Sequence, residues 1–442
     1  GTACPRASVR LSSRRRNARS LSRRSMPRPE DFTVGVEEEY QLVDARSGEL
    51  RSRARYVIAG DWADELKPEM QEHTVEVETR VCEGTHCVRE DLARLRFTAA
   101  VAAEAQGLRI VAAGTHPFSP AEGHVFNPAP VYQELREEYR RLAESQAIFG
   151  MHVHVGVPPG VDRAQTSNCV RLHLPLLLAL SAASPYFAGQ DTGHASYRSV
   201  LWRRWPRTGA PPRFADDAEY AALVRWLVDS ERIDAPGRLY WEMRPHHVYP
   251  TIEARIADCT PRVEDAVAIA ALLRAIVAGA VQGVLRDSPL PDSFVQTLLS
   301  DNGWRASRYG TAAVLADVES AEPRTISVAG AVGRLAQRLE GVAAALGDGE
   351  ELEALSGLLL RGCAADAIRE RAAEAGGDLG RVALWLADET MVGAGLYTTN
   401  ASRRIRRGRV FGKLMGTPSV PRMIPPARCW PTWTWRRPTW QP

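Results

Sequence analysis

The amino-acid sequence predicts an α+β fold: an antiparallel sheet with one face open and helices packed on its closed face. Three observations carry this reading. Short segments alternate polar and apolar residues with the period of a strand, longer segments between them repeat apolar residues at helical spacing, and from about residue 311 the chain turns helical and rich in Ala and Leu. Strands covered on both faces read as near-continuous apolar runs, so the polar half of each alternation argues against a parallel sheet between helix layers.

In chain order, residues 1–29 mix Arg, Ser and Pro without apolar periodicity and are read as a disordered basic extension, with Met26 a candidate initiator. Residues 30–390 are read as a single domain. Between Phe32 and Val43, the residues Val34, Val36, Glu38, Tyr40 and Leu42 share one strand face and Gly35, Glu37, Glu39 and Gln41 the other. Similar alternations predict strands over 73–80, 109–116, 150–157, 239–244 and 251–258. Helical patterns fill 89–106, 130–147, 163–184, 215–230 and 263–286, and Leu92, Leu95, Ala99 and Ala102 show the spacing in the first of these. The helical C-terminal part is expected over 311–318, 328–346, 351–361, 363–375 and 379–390. Beyond about 391 an Arg cluster and a Pro- and Trp-rich end follow neither period, and 391–442 is read as an irregular or disordered tail.

Composition narrows the class. With 45% hydrophobic and 25% charged residues, the 442-residue chain has the means for a sizeable core. Its net charge of +3 hides an acidic middle, because nine arginines lie in the first thirty residues and more in the tail. Only Lys67 and Lys413 are lysines, so arginine carries the cationic chemistry. The seven cysteines lack CxxC spacing, and Cys82 and Cys87 are the closest pair; reduced thiols and a cytoplasmic location are expected. No apolar run approaches the ~20 residues of a membrane span, the start lacks the apolar core of a secretory signal, and no GxxxxGK[ST] or strand-borne GxGxxG is present. Neither a nucleic acid nor a membrane is expected as partner.

The chemistry gathers on strand faces. Glu37 and Glu39, Glu76 and Glu78, His152 and His154, and Glu253 and Arg255 stand at i and i+2, so each pair points one way. One such pair is explained by a polar face that meets water. Four pairs, nearly all acidic and with no lysine in the segments that carry them, conflict with like-charge repulsion unless a cation sits among them. Oxygen-rich donors of this kind suit hard divalent ions such as Mg2+ or Mn2+. Arg198, Arg244 and Arg255 are candidates to neutralise phosphate or a substrate carboxylate.

These residues lie in blocks that resemble a known family. GVEEEYQLVD at 35–44, TVEVETRVCEGT at 74–85, AAGTHPF at 112–118, GMHVHVGVP at 150–158, LPLLLALSAASPYFAGQDTGHASYRS at 174–199, PRTGAPPRF at 206–214, YWEMRPHHVYPTIEARIAD at 240–258 and NGWRASRYG at 302–310 are similar to the carboxylate–amine ligases of the type 2 glutamate–cysteine ligase family. The resemblance covers about residues 31–390. It implies a curved sheet forming a glutamine-synthetase-like cleft, dependence on ATP and Mg2+ (Mn2+ as the alternative), and amide formation between glutamate, or a similar carboxylate, and cysteine or another amine through an acyl phosphate. It further implies metal binding by Glu37, Glu39, Glu76, His152 and Glu253. Arg255 and then Arg198 are the expected catalytic cations, and Arg198, Arg244 and Arg255 the nucleotide-binding ones. The cysteine-accepting pocket is not readable from a motif. Two rivals remain at this stage: a zinc hydrolase using His152, His154 and one of His246 or His247, and a non-catalytic nucleotide sensor on the same scaffold. A homo-oligomer is the base-rate expectation for a soluble enzyme of this size.

Overall fold

The computed structural model describes residues 27–59 and 64–394. The expectations for the N-terminal extension and the C-terminal tail therefore fall almost wholly outside the described residues. The strands are β1 (Val34–Asp44), β2 (Lys67–Pro68), β3 (Thr74–Glu78), β4 (Leu108–Val111), β5 (Gly150–Gly156), the hairpin β6 (Tyr186–Phe187) and β7 (Gln190–Asp191), then β8 (Met243–Pro245) and β9 (Thr251–Asp258). Apart from the hairpin they form one seven-stranded antiparallel sheet in the order β2-β3-β1-β5-β9-β8. Strand β4 pairs with the second half of β1, while β5 takes the first half.

The helices are α1 (Ala54–Ile58), α2 (Thr85–Glu104), α3 (Pro130–Tyr139), α4 (Arg141–Glu144), α5 (Arg163–Val170), α6 (Leu174–Ser181), α7 (Tyr197–Trp202), α8 (Asp217–Asp229), α9 (Val263–Val281), α10 (Asp292–Tyr309), α11 (Val328–Leu346), α12 (Gly349–Arg361), α13 (Ala364–Glu374) and α14 (Leu379–Thr390). The expected helix over 163–184 is divided by a 3-10 turn at Arg171–His173. The cause is Pro175, which lacks an N–H and whose ring clashes with the carbonyl four residues back, at Arg171. The helix expected over 311–318 is corrected to a 3-10 turn and a short strand, β10 (Val314–Ala316), paired with β11 (Thr325–Ser327). Gly310, with φ of 54°, turns the chain out of α10, and the Asn302 side chain holds both the N–H and the carbonyl of Ala316. Helix α10 was not expected, although Val295, Leu299 and Ala306 line its buried face.

Helix α9 is apolar nearly all round and is buried along most of its length, as a central helix must be. It packs on β1 and β5, with α2, α5, α6, α11 and α12 around it. Its one mid-helix charge, Arg274, is fully buried and fully used. The guanidinium donates to Phe32 O at 2.6 Å, to Glu83 O and Leu346 O, and to both oxygens of Asp348 at 2.8 and 3.0 Å. A second buried cation ties β1 to the helices. Arg96 of α2 donates to Glu38 Oε2 at 2.9 Å and Oε1 at 2.5 Å, and to the carbonyls of Thr260, Pro261 and Thr390. The Tyr40 hydroxyl donates to the same carboxylate at 2.5 Å. Glu38, Tyr40 and Arg96 are all fully buried.

The expectation of reduced thiols is corrected at one pair: Cys82 and Cys87 form a disulfide. The turn from β3 into the first turn of α2 brings their Cα atoms to 5.6 Å, inside the reach of a disulfide. Among the described residues, no helix is long and apolar enough to cross a membrane.

Two predictions follow from this packing. Glu38→Gln leaves the Arg96 charge buried without its counter-ion, which costs about 3–5 kcal/mol of stability; the urea midpoint reads this, and a loss below about 1 kcal/mol would remove the pair from its structural role. The second concerns acid. Burial pushes His116 down to about 3 and His173 down to about 4 from the ordinary 6.5. The unfolded chain takes up both protons as pH falls through about 6.5 while the folded chain refuses them, so stability is complete above that value. It then drops by about 1.4 kcal/mol per pH unit per histidine until each folded value is reached. His116→Asn should make the slope of stability against pH shallower by one proton between pH 6 and 4; an unchanged slope would contradict the assignment.

Candidate active site

The open face of the sheet carries a cavity of about 690 Å³, lined from β1, β2, β3, β5, β8 and β9 and closed at one end by α3 and α7. Register explains its contents. Across β1 and β3, Glu37 stands opposite Glu78 and Glu39 opposite Glu76; across β1 and β5, Glu37 stands opposite His152; across β5 and β9, His154 stands opposite Glu253. The acids at i and i+2 are therefore brought together laterally by antiparallel pairing, as their shared face requires. A bulge sets two residues of β9, Arg255 and Ile256, against His152. Beyond it the alternation of β9 is offset, so Ile256 and Ala257 both enter the core while Asp258 accepts from Ser184 at 2.6 Å and Ser196 at 2.8 Å.

Three clusters divide the face. In the first, ligand oxygens of Glu39, Glu69 and Glu76 lie within 4.8 Å of one another. Burial, then the charge of Glu39, pushes the Glu69 carboxyl up to about 7. Burial, then the charges of Glu37 and Glu69, holds Glu76 well above the carboxylate range. These acids repel one another when no cation is present, and three oxygen donors at this spacing could hold a divalent ion. In the second cluster, Glu37 accepts from His152 Nδ1 at 2.7 Å and His154 Nε2 at 3.1 Å. Burial opposes its charge, but His154 and the hydrogen bonds to both rings outweigh it and keep Glu37 well below its ordinary value. His152 is lowered, chiefly by burial and then by Arg255, whereas burial of His154 is overcome by Glu37, which raises it. In the third cluster, Glu253, 1% exposed, lies between two guanidiniums. Arg244 Nε donates to it at 2.8 Å, and Arg255 Nη1 donates to its other oxygen.

Of the residues expected from sequence, Glu39 and Glu76 meet in the acid cluster, and Glu37 and His152 bond to each other beside it, His152 Nε2 lying 4.0 Å from Glu39 Oε1. Glu253 is held in ion pairs with Arg244 and Arg255. Arg255 is largely buried on the cleft face. Arg198 also lines the cleft, yet Nη1 and Nη2 donate to Ile256 O and Arg255 O at 3.2 and 3.3 Å, bracing the bulge. That approach explains Gly150, where a Cβ would collide with the Arg198 guanidinium. Arg244 gives its remaining donors to Gly237 O and Leu239 O, so it braces Glu253 from behind.

Glu69 was missed, because it lies in the irregular segment before β3, where no alternation flags it. The acidic segments themselves carry no lysine, but β2 pairs with β3 and brings the Lys67 ammonium onto Glu78. The zinc arrangement finds no support, since the three glutamates are the only gathered ligand set among the described residues.

Comparison with known proteins agrees with this geometry. The chain matches the model of glutamate–cysteine ligase family 2 over residues 33–384. It is 35% identical over 368 residues to a protein of Herpetosiphon aurantiacus, covering 83% of this chain and 94% of that one. It is 38% identical over 293 residues to one of Roseiflexus castenholzii, covering 65% of this chain and 76% of that one. Both bear the name "Putative glutamate--cysteine ligase 2". The fold is shared with a glutamate–cysteine ligase of Francisella tularensis solved in complex with AMP, at a TM-score of 0.63 and 11% identity over 88% of this chain and 95% of that one. It is also shared with a bifunctional glutathione synthetase of Pasteurella multocida, at a TM-score of 0.62 and 16% identity over 85% of this chain and 54% of that one.

The antiparallel sheet carries an acidic, arginine-braced cleft, and the family match with its named relatives makes the protein an ATP-dependent ligase that forms carbon–nitrogen bonds. The chain belongs to glutamate–cysteine ligase family 2.

The acid cluster is directly testable. Glu69→Gln should weaken Mn2+ or Mg2+ binding, followed by calorimetry, by about tenfold or more. Because the substitution relieves repulsion, the metal-free protein should melt no lower than the parent. Unaltered metal affinity would exclude Glu69 as a ligand.

Proposed function

We infer that the protein joins the side-chain carboxylate of glutamate, or a similar carboxylate, to cysteine or another amine through an acyl phosphate. The observation that carries this reading is the meeting of three half-buried carboxylates with Arg255 on one cleft face, where Arg255 favours the charge of Glu69. A carboxylate is a poor acyl donor. Its oxygen attacks the γ-phosphorus of ATP, the bond from that phosphorus to the ADP oxygen breaks, and an acyl phosphate results. The amine nitrogen then attacks the acyl carbon, the carbon–oxygen bond to phosphate breaks, and the nitrogen loses a proton to the phosphate released. No protein nucleophile is needed, so the protein contributes positioning and charge.

Glu39, Glu69 and Glu76, with Glu37 and His152 beside them, would hold a divalent cation, and the all-oxygen donor set of the three glutamates fits Mg2+ or Mn2+, whose chemistry there is neutralisation of phosphate charge. Arg255, on the cleft face, would neutralise the charge of the transferring phosphoryl group. Arg198 fixes the backbone of the bulge from which Arg255 projects and stands second in line to the same charge. Arg244 keeps Glu253 ionised, and Glu253 in turn orients Arg255.

Purified protein should release ADP only when ATP, a divalent cation, a carboxylate and an amine are all supplied. Arg255→Met should lower kcat by about 10²–10³ with its melting temperature kept, since Arg244 still pairs with Glu253. Full turnover in that variant would remove Arg255 from phosphoryl transfer.

A further inference from the structure

We propose that the acceptor is a primary amine with an aromatic or bulky apolar body and no carboxylate, seated in an aromatic recess beside the acid cluster; this rests on the ligase reading above. The recess is built by Tyr132 and Leu135 of α3, Trp202 at the end of α7, Trp205, and Tyr240, all of which line the cavity. The rings form one continuous wall: Trp202 stacks on Trp205 with centroids 6.1 Å apart, and Tyr240 meets each edge-on at 5.6 and 5.5 Å. The wall begins where the acids end, because the charges of Glu69, Glu76 and Glu39 reach the Tyr132 hydroxyl, which donates to Pro68 O at 3.1 Å.

Charge narrows the occupant. Carboxylates of the lining outnumber its arginine and lysine side chains, which are Lys67, Arg198, Arg244 and Arg255. Lys67 is paired to Glu78, Arg244 and Arg255 to Glu253, and Arg198 to backbone carbonyls. Phosphate and the donor carboxylate already draw on Arg255 and Arg198. An acceptor bearing its own carboxylate would add an anion with no such cation assigned to it, whereas an amine without one adds no charge for the cleft to neutralise. Aromatic faces also favour a cation and an apolar ring together. One polar group marks the recess: Gln146 Oε1 accepts from Trp205 Nε1 at 2.9 Å, while its buried Nε2 has no partner among the described residues. A hydroxyl on the amine's ring would satisfy that donor.

The experiment supplies ATP, Mg2+ and a carboxylate panel that includes glutamate, and reads ADP release with tyramine, phenethylamine, methylamine or cysteine, the product being checked by mass. The expected result is a kcat/KM for tyramine or phenethylamine at least tenfold above that for cysteine. Cysteine equal or better would overturn the inference and leave the ligase reading standing; amine-independent ADP release, or none with any amine, would overturn the ligase reading itself. Trp202→Ala, and separately Leu135→Phe should the first variant fold poorly, should lower the ratio of phenethylamine to methylamine kcat/KM about tenfold, with KM for ATP within twofold of the parent. A raised KM for ATP with that ratio unchanged would assign the wall to the adenine ring and overturn the inference.

Discussion

The buried pair of Glu38 and Arg96 is the interaction on which the site depends. In a strand, neighbouring side chains point to opposite faces, so holding Glu38 inward forces Glu37 and Glu39 outward into the cleft. Arg96 does this while also donating to the carbonyls of Thr260, Pro261 and Thr390. The same guanidinium therefore sets the register of β1, the turn after β9 and the end of α14. Two charges in so dry a place stabilise the fold only because each has its remaining hydrogen bonds met, with Tyr40 completing the carboxylate. A slip of one residue in β1 would place Glu37 and Glu39 in the core and Glu38 in the cleft.

On the open side, charge is arranged rather than cancelled. Glu37 and Glu253 are held ionised by histidine and arginine partners, whereas Glu69 and Glu76 are pushed toward protonation, Glu69 by burial and the charge of Glu39, Glu76 by burial and the charges of Glu37 and Glu69. A cleft that keeps some carboxylates satisfied and others in mutual conflict is poised for a cation at the second set. The bulge in β9 serves the same end. It lets Arg255 and Glu253 remain on the cleft face while Ile256 and Ala257 join the core beneath. Arg198, which the chain places outside the sheet on α7, reaches in over Gly150 to hold that irregularity.

Much of this was legible from residue spacing. The two-residue period in VGVEEEYQLVD placed Glu37 and Glu39 together and Glu38 apart, and the half-polar character of β3, β5 and β9 pointed to an antiparallel sheet. Three things were not legible. Glu69 and Lys67 reach the site through a two-residue strand, too short to show any period. Helix α10 passes through Gly303, which weakens a helical pattern and is there because the Arg203 guanidinium packs against it. Residues 311–318 carry Ala and Leu as a helix would, yet pairing with Thr325–Ser327 makes Val314–Ala316 a strand.

What the chain order settles is which side chains share a face, because strand and helix periods are local properties of backbone geometry, and with them the α+β class and the acidic character of the site. What only the folded molecule decides is which of those groups neutralise one another. Glu253 and Arg255 are two residues apart in sequence, yet the partner that completes their set, Arg244, comes from β8, as Glu69 comes to Glu39 and Glu76 from a loop. Pairing energies depend on distance and on exclusion of water, and both are set by register and packing rather than by sequence separation. The acids of β1 were visible from the start; the arginines, the lysine and the third glutamate that give them separate roles were assembled by the sheet.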